Sequence, residues 1–218
     1  MRERSLERCW ILPLALMLAV PAGRLNASDT AEEVLEKLRQ KFNTIEDAEL
    51  TFSETDRFTL TTMEHHVAGT LIMKKGNRYR VAMEGDTIVT DGETVWHYSA
   101  ATRQVLIDHF KMDERSLSPE RILAAAPGDY EAALLGREKV GKNETEVLKL
   151  IPQAAHSSLK AMKLWVDDKE WFVRKAELED VGGKRTSYVV QEAKFNTGVP
   201  DSLFSYQIPA GAEVVDLR

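Results

Sequence analysis

The chain has 218 residues, a formal charge of −6, 43% hydrophobic residues and a single cysteine. That length supports one sizeable core, and the acidic balance argues against nucleic acid or an anionic membrane surface as a partner. One cysteine excludes an internal disulfide and a cysteine-built metal centre.

Arg2, Arg4 and Arg8 open the chain, and Trp10 to Val20 is an apolar run without a charge. Val20-Pro-Ala22 and Leu25-Asn-Ala27 each offer a small residue at a cleavage point. That order reads as a secretory signal peptide over residues 1–27. The apolar run is too short for a spanning helix, which needs ~20 residues. Cys9 precedes the run, so it is not the lipid-bearing cysteine of a lipoprotein signal. Cleavage after Ala27 leaves residues 28–218 as one domain. With four basic and two acidic residues removed, its balance is −8. The expectation is a soluble, exported protein outside the cytoplasm, with no thiol.

Asp29 is a helix N-cap candidate, with Glu32 completing a capping box. Ala31, Val34, Leu35, Leu38 and Phe42 then line one helical face. After Asn43 the period switches to alternation: Leu50 and Phe52; Val67, Gly69, Leu71 and Met73; Tyr79, Val81 and Met83, with Arg78 and Arg80 outward; Thr94, Trp96 and Tyr98; Val105 and Ile107. Gly76-Asn77, Gly85-Asp86 and Asp91-Gly92 are turn signals between them. Helix returns at Ser118-Pro119, carrying Ile122 and Leu123, and Pro127-Gly128 ends it. Strand patterns resume over 130–140, 144–151, 159–166, 171–178 and 185–195. The count is about ten or eleven strands with helices at two places. The predicted fold is mainly β with helices (α+β): an incomplete antiparallel β-barrel covered by a helical lid.

Catalytic chemistry finds little support. Gly136 to Asn143 falls one residue short of a phosphate-binding P-loop, because Asn143 replaces the Ser or Thr and a turn between strands replaces the helix. His65 and His66 are adjacent and point apart if extended, and His97 reads as solvent-facing. No histidine pair has the spacing of a helical zinc site. No Gly-x-Ser-x-Gly elbow occurs. No metal, no cofactor and no enzymatic activity are expected.

What the pattern does supply is an apolar face spread over many strands: Leu50, Phe52, Leu71, Met73, Tyr79, Val81, Met83, Trp96, Tyr98, Leu148, Leu150, Met162, Leu164 and Val166. A filled core explains such a face equally well. A barrel of this strand number is wider than its own side chains readily fill, and methionines suit an adaptable ligand surface.

Four pieces carry a resemblance. They are Gly69-Thr-Leu71, Lys74-Lys75-Gly-Asn-Arg78-Tyr79-Arg80, Thr90-Asp91-Gly92-x-Thr94-x-Trp96-x-Tyr98, and Gln104-Val105. With Pro119 and the closing Phe204-Ser-Tyr206-x-x-Pro209-x-Gly211-x-x-Val214, they resemble the periplasmic outer-membrane lipoprotein carriers, the LolA-like family. The resemblance implies an apolar cavity under a helical lid. It also implies lipoprotein acyl chains as cargo, an inner-membrane lipoprotein-releasing transporter complex as donor and an outer-membrane lipoprotein receptor as acceptor. It implies a periplasmic location for the exported chain, and a monomer is expected, with no nucleic acid. The alternative is a non-enzymatic periplasmic lipid-binding or stress-sensing regulatory domain of the same fold. Lys75-Gly76 stands where the family commonly has Arg-Pro, and Val81 where it commonly has Trp. Lys75, Ile122 and Leu123 are accordingly read as lid or mouth residues, with a looser latch or a modified cargo as the expected consequence.

Overall fold

The computed structural model describes residues 29–58, 64–111 and 130–218. Helix α1 (Ala31–Asn43) opens it, capped by Thr30, whose side chain accepts from Glu33 N while Glu33 returns a bond to Thr30 N. The capping box thus sits one residue later than the Asp29–Glu32 reading. Burial of Ala31, Val34 and Leu38 fixes the helix phase and leaves Thr30 as the last extended residue. Asp29 instead pairs with Lys37 at 2.8 Å.

Twelve strands follow: β1 (Asp47–Arg57), β2 (Glu64–Lys74), β3 (Arg78–Met83), β4 (Asp86–Asp91), β5 (Thr94–Ser99), β6 (Gln104–His109), β7 (Tyr130–Val140), β8 (Asn143–Pro152), β9 (Leu159–Asp167), β10 (Val173–Asp180), β11 (Arg185–Phe195) and β12 (Glu213–Asp216). They form one open, curled sheet in the order β12-β6-β5-β4-β3-β2-β1-β11-β10-β9-β8-β7. Every pairing is antiparallel except β12 on β6, which is parallel because the chain returns to that edge by a long connection. The closing segment carries no clear strand pattern in the sequence, and β12 is the extra strand. The helix expected from Ser118, with Ile122 and Leu123, lies outside the described residues.

Local chemistry sets the turns. Gly76 and Asn77, at φ 90° and 58°, take the left-handed conformation that links β2 to β3. Trp171 belongs to the β9–β10 turn rather than to a strand, with its N–H donating to Asp167 O at 3.0 Å. The Gly136–Asn143 stretch is strand, bulge and hairpin turn, with a register shift between Leu134 and Gly136.

Residues directly opposite in paired strands share a face. One face, here called inner, joins α1 in a continuous core containing Val34, Leu38, Ala48, Leu50, Phe52, Leu71, Met73, Tyr79, Leu148, Leu164 and Ala176. The outer face is also covered at one end. The segment after β11, with a short 3-10 turn (Asp201–Phe204), lies over β3 and β4. There it buries Val199 and Phe204, and Val89, Val105 and Ile107 are buried as well.

Candidate functional site

The inner face is assembled by register. Leu50 pairs with Leu71, Leu71 with Val81, and Val81 with Ile88. Met73 pairs with Tyr79, and Gly69 with both Phe52 and Met83. On the other side Leu148 pairs with Leu164, Leu164 with Ala176, Ala176 with Tyr188, and Tyr188 with Glu54. Two large side chains are accommodated by one absence: a Cβ on Gly69 would stand 2.5 Å from Phe52 Cζ. Phe52 in turn meets Tyr188 edge to face, with centroids 6.0 Å apart.

Twelve of the fourteen cavity candidates lie on this face or in its core: Leu50, Phe52, Leu71, Met73, Tyr79, Val81, Met83, Leu148, Leu150, Met162, Leu164 and Val166. Their burial divides them. Leu148, Leu150, Met162, Leu164 and Val166 are at most 1% exposed and are packed in the core with α1. Val81, Met83 and the unanticipated Ile88 are only half-buried against it. Apolar surface is thus left partly open over β3 and β4, and Ala132 and Leu134 on β7 and Val190 and Phe195 on β11 are likewise only partly buried against the core.

Trp96 and Tyr98 do not belong to it. Trp96 pairs with Val89, which pairs with Arg80, while Tyr98 pairs with Thr87 and thence Ala82. Both stand on the outer face, on the side of Arg80 and opposite Val81. His97 takes the inner side, paired with Ile88, and is exposed beside Asp86 at 3.6 Å. The expected outward sense of Arg78 and Arg80 holds, but neither is free in solvent. Arg78 pairs with Asp201 at 3.0 Å and lies 5.9 Å from the Phe204 ring centroid, under the C-terminal segment. Burial and neighbouring Tyr98 raise the Tyr206 phenol, against a smaller lowering effect from Arg80.

Lys75 lies at the α1 end of the sheet. Its ammonium donates to Asn43 O at 3.1 Å and to Glu46 Oε1 at 2.5 Å, so it satisfies a last-turn carbonyl of α1.

Polar groups end the apolar face at the far ends of β1, β2 and β11. Asp56 accepts from Thr186 Oγ1 at 2.6 Å and pairs with Lys184 Nζ at 2.8 Å. Glu54, one inner-face position nearer Phe52, stands directly opposite Tyr188 in the β1–β11 pairing. Burial and the Asp56 charge raise the Glu54 carboxyl, against smaller lowering effects from Lys184, Tyr188 and His65. Burial and the same two carboxylates raise Tyr188 far above an ordinary phenol. Alternation across Leu50 and Phe52 leads to Glu54, but its carboxylate reads as polar surface until the β11 register is known. Among the described residues no three His, Cys, Asp or Glu side chains form a metal-holding group.

A family model for the outer membrane lipoprotein carrier protein LolA matches residues 40–207. The chain belongs to that family. An outer-membrane lipoprotein carrier protein of Hahella chejuensis is 25% identical over 211 residues, covering 94% of this chain and 97% of that protein. A protein of Methanocaldococcus jannaschii is 23% identical over 210 residues, and this chain spans only 59% of its length. Among solved structures, a conserved protein from Thermus thermophilus shares the fold, with a TM-score of 0.58 at 17% identity, covering 85% of this chain and 98% of that one. LolA membership thus agrees with the open sheet and its apolar inner face.

Proposed function

We propose that this LolA-family protein is a soluble periplasmic carrier that binds the acyl chains of lipoproteins against its inner face. It takes them from an inner-membrane releasing complex, yields them to an outer-membrane receptor, and performs no chemistry on them. The observation that carries the reading is the half-buried set Val81, Met83 and Ile88, continuous with the core through Leu50, Leu71, Met73 and Tyr79. Apolar side chains left partly open beside a finished core suit a ligand of the same character. Leu148, Leu150, Met162, Leu164 and Val166 form the floor beneath α1 rather than the contact surface.

The energetic demand matches. Burying a methylene is worth ~0.8 kcal/mol, so a ~15-carbon chain in water costs ~12 kcal/mol, and a lipoprotein crosses an aqueous space only inside a container. Delivery then needs a receptor that binds the chains more tightly than this face does.

Native mass spectrometry of the mature protein, purified from its own envelope without detergent, tests the reading. Co-purifying acyl-bearing cargo is the expected result. A lipid-free protein that also captures no lipoprotein from isolated membranes would overturn it.

A further inference from the structure

Among the described residues the inner-face carboxylate of Glu54 has no salt-bridge partner, and the Lys184 and His65 charges offset its burial only in part. Four charged or titratable groups gather with Tyr188 at the polar end of that face: Glu54 and Asp56 from β1, His65 from β2, and Lys184, which leads into β11. Asp56 takes both the Lys184 ammonium and the Thr186 hydroxyl. His65 sits opposite Asp56 and is exposed. Among the described residues no lysine, arginine or histidine forms a salt bridge with Glu54, and the β1–β11 register sets Tyr188 directly opposite it. A carboxylate accepts about four hydrogen bonds, and one phenol occupies about one of those places. Phe52 lies one inner-face position away and touches Tyr188, so the acceptor stands where the apolar surface ends.

We infer that Glu54 and Tyr188 form a polar subsite of the acyl-chain face, selecting amphiphiles that carry an amine or ammonium next to the hydrocarbon chain and disfavouring those that end in a carboxylate. An ammonium would add a positive charge beside Glu54 and offer up to three N–H donors to its carboxylate. A second carboxylate beside Glu54 and Asp56 meets like charge at the edge of an apolar surface, where solvent screening is weak. The energetic cause is the same one that raises the Glu54 carboxyl: a partly desolvated anion on which burial and the Asp56 charge outweigh the help of Lys184 and His65.

The inference rests on the acyl-chain reading above, and one experiment separates the two. Purified mature protein is loaded with the neutral fluorophore N-phenylnaphthylamine. The probe is then displaced at neutral pH by dodecylammonium, dodecanol or dodecanoate, three ligands with one chain and different ends. Wild type is expected to release the probe at about tenfold lower dodecylammonium than dodecanoate, with dodecanol between. Glu54→Gln collapses that ratio to about twofold or less, whereas Glu192→Gln, an exposed carboxylate on the outer side of β11, leaves it unchanged. Equal displacement by all three ligands in wild type, or a ratio that survives Glu54→Gln, overturns the subsite and leaves the acyl-chain reading standing. Failure of the protein to take up the probe, or of any ligand to release it, overturns the acyl-chain reading itself. Melting temperatures of both variants confirm that the ratio is read on folded protein.

Discussion

Tyr79 and Trp96 stand on opposite faces of the same sheet. Tyr79 pairs with Thr90 and Trp96 with Val89, adjacent residues of β4 that point apart. A ligand on the inner face therefore touches Tyr79 and its neighbour Val81 but is separated from Trp96 by the sheet itself. With Trp165 and Trp171 replaced by Phe, Trp96 is the only tryptophan of residues 28–218. A brominated acyl chain bound to that variant should leave the emission nearly unquenched. Adding Val81→Trp and Trp96→Phe to the same background should restore strong quenching. Strong quenching of Trp96 would place the chain on the outer face.

Gly69 exists for Phe52. With a Cβ, position 69 would press on Phe52 Cζ at 2.5 Å and on Met83 Cγ at 3.0 Å. The ring has little room to retreat, because it is 9% exposed and held edge to face by Tyr188. Gly69→Ala should therefore cost about 1–3 kcal/mol by overpacking. Phe52→Leu in the same chain should return part of that loss, giving a coupling energy of at least ~0.5 kcal/mol in a urea-denaturation double-mutant cycle. Strictly additive costs would show that the two positions do not share the space.

Much of this fold is legible in the sequence, and the exceptions have physical causes. Alternation at Leu50–Phe52 and at Tyr79–Met83 marks inner-face residues correctly, since one side of each strand there meets the core. At Thr94–Tyr98 the same rule picks the wrong side. Alternation fixes which residues share a face but not which face is the inner one. Size alone points the larger residues inward, yet Tyr206 lies beside Tyr98 on the outer face and Phe204 is buried over neighbouring β3 and β4, so aromatic residues find partial cover outside. That cover comes from more than a hundred residues downstream, beyond any local pattern. Lys75 reads as a mouth residue, but its contact with Asn43 O depends on where α1 ends against the sheet. The Glu54–Tyr188 pair depends likewise on the β1–β11 register, including the bulge at Thr51–Phe52.

Glu54 gives a signature in stability as well as in binding. Its folded-state carboxyl is raised by burial and by Asp56, so folding favours the protonated form. Such a group adds stability below the ordinary glutamate value of ~4.3 and withdraws it as pH rises through the raised folded value. Glu54→Gln removes that withdrawal. The variant should be more stable than wild type at neutral pH, and the gain should disappear below about pH 4. Urea midpoints across that range supply the test. A gain independent of pH would assign the effect to packing rather than charge.

Asp47 works in the opposite direction and fixes the corner that covers the outer face. It is buried at the start of β1. Its Oδ1 accepts from Thr197 N at 2.7 Å and Thr197 Oγ1 at 3.2 Å, while its Oδ2 accepts from Gly198 N at 3.0 Å and Val199 N at 3.3 Å. Burial pushes this carboxyl up, but the donors outweigh it and hold the group below the ordinary aspartate value. A depressed carboxyl contributes stability above the unfolded value of ~3.9 and loses it as pH falls through the folded value. Asp47→Asn keeps the shape but has one acceptor oxygen for a set of donors that used two. It should cost about 2 kcal/mol near neutral pH. Because the lost contribution is that of the charged form, the gap between variant and wild type should narrow as pH drops from about 4 toward the acid limit. The corner also leads into the 3-10 turn that sets Phe204 over β3 and β4, so backbone amides of the outer-face segment should exchange faster in the variant than those of β8 and β9. A stability gap that stays constant with pH would show that Asp47 acts through its shape and not its charge.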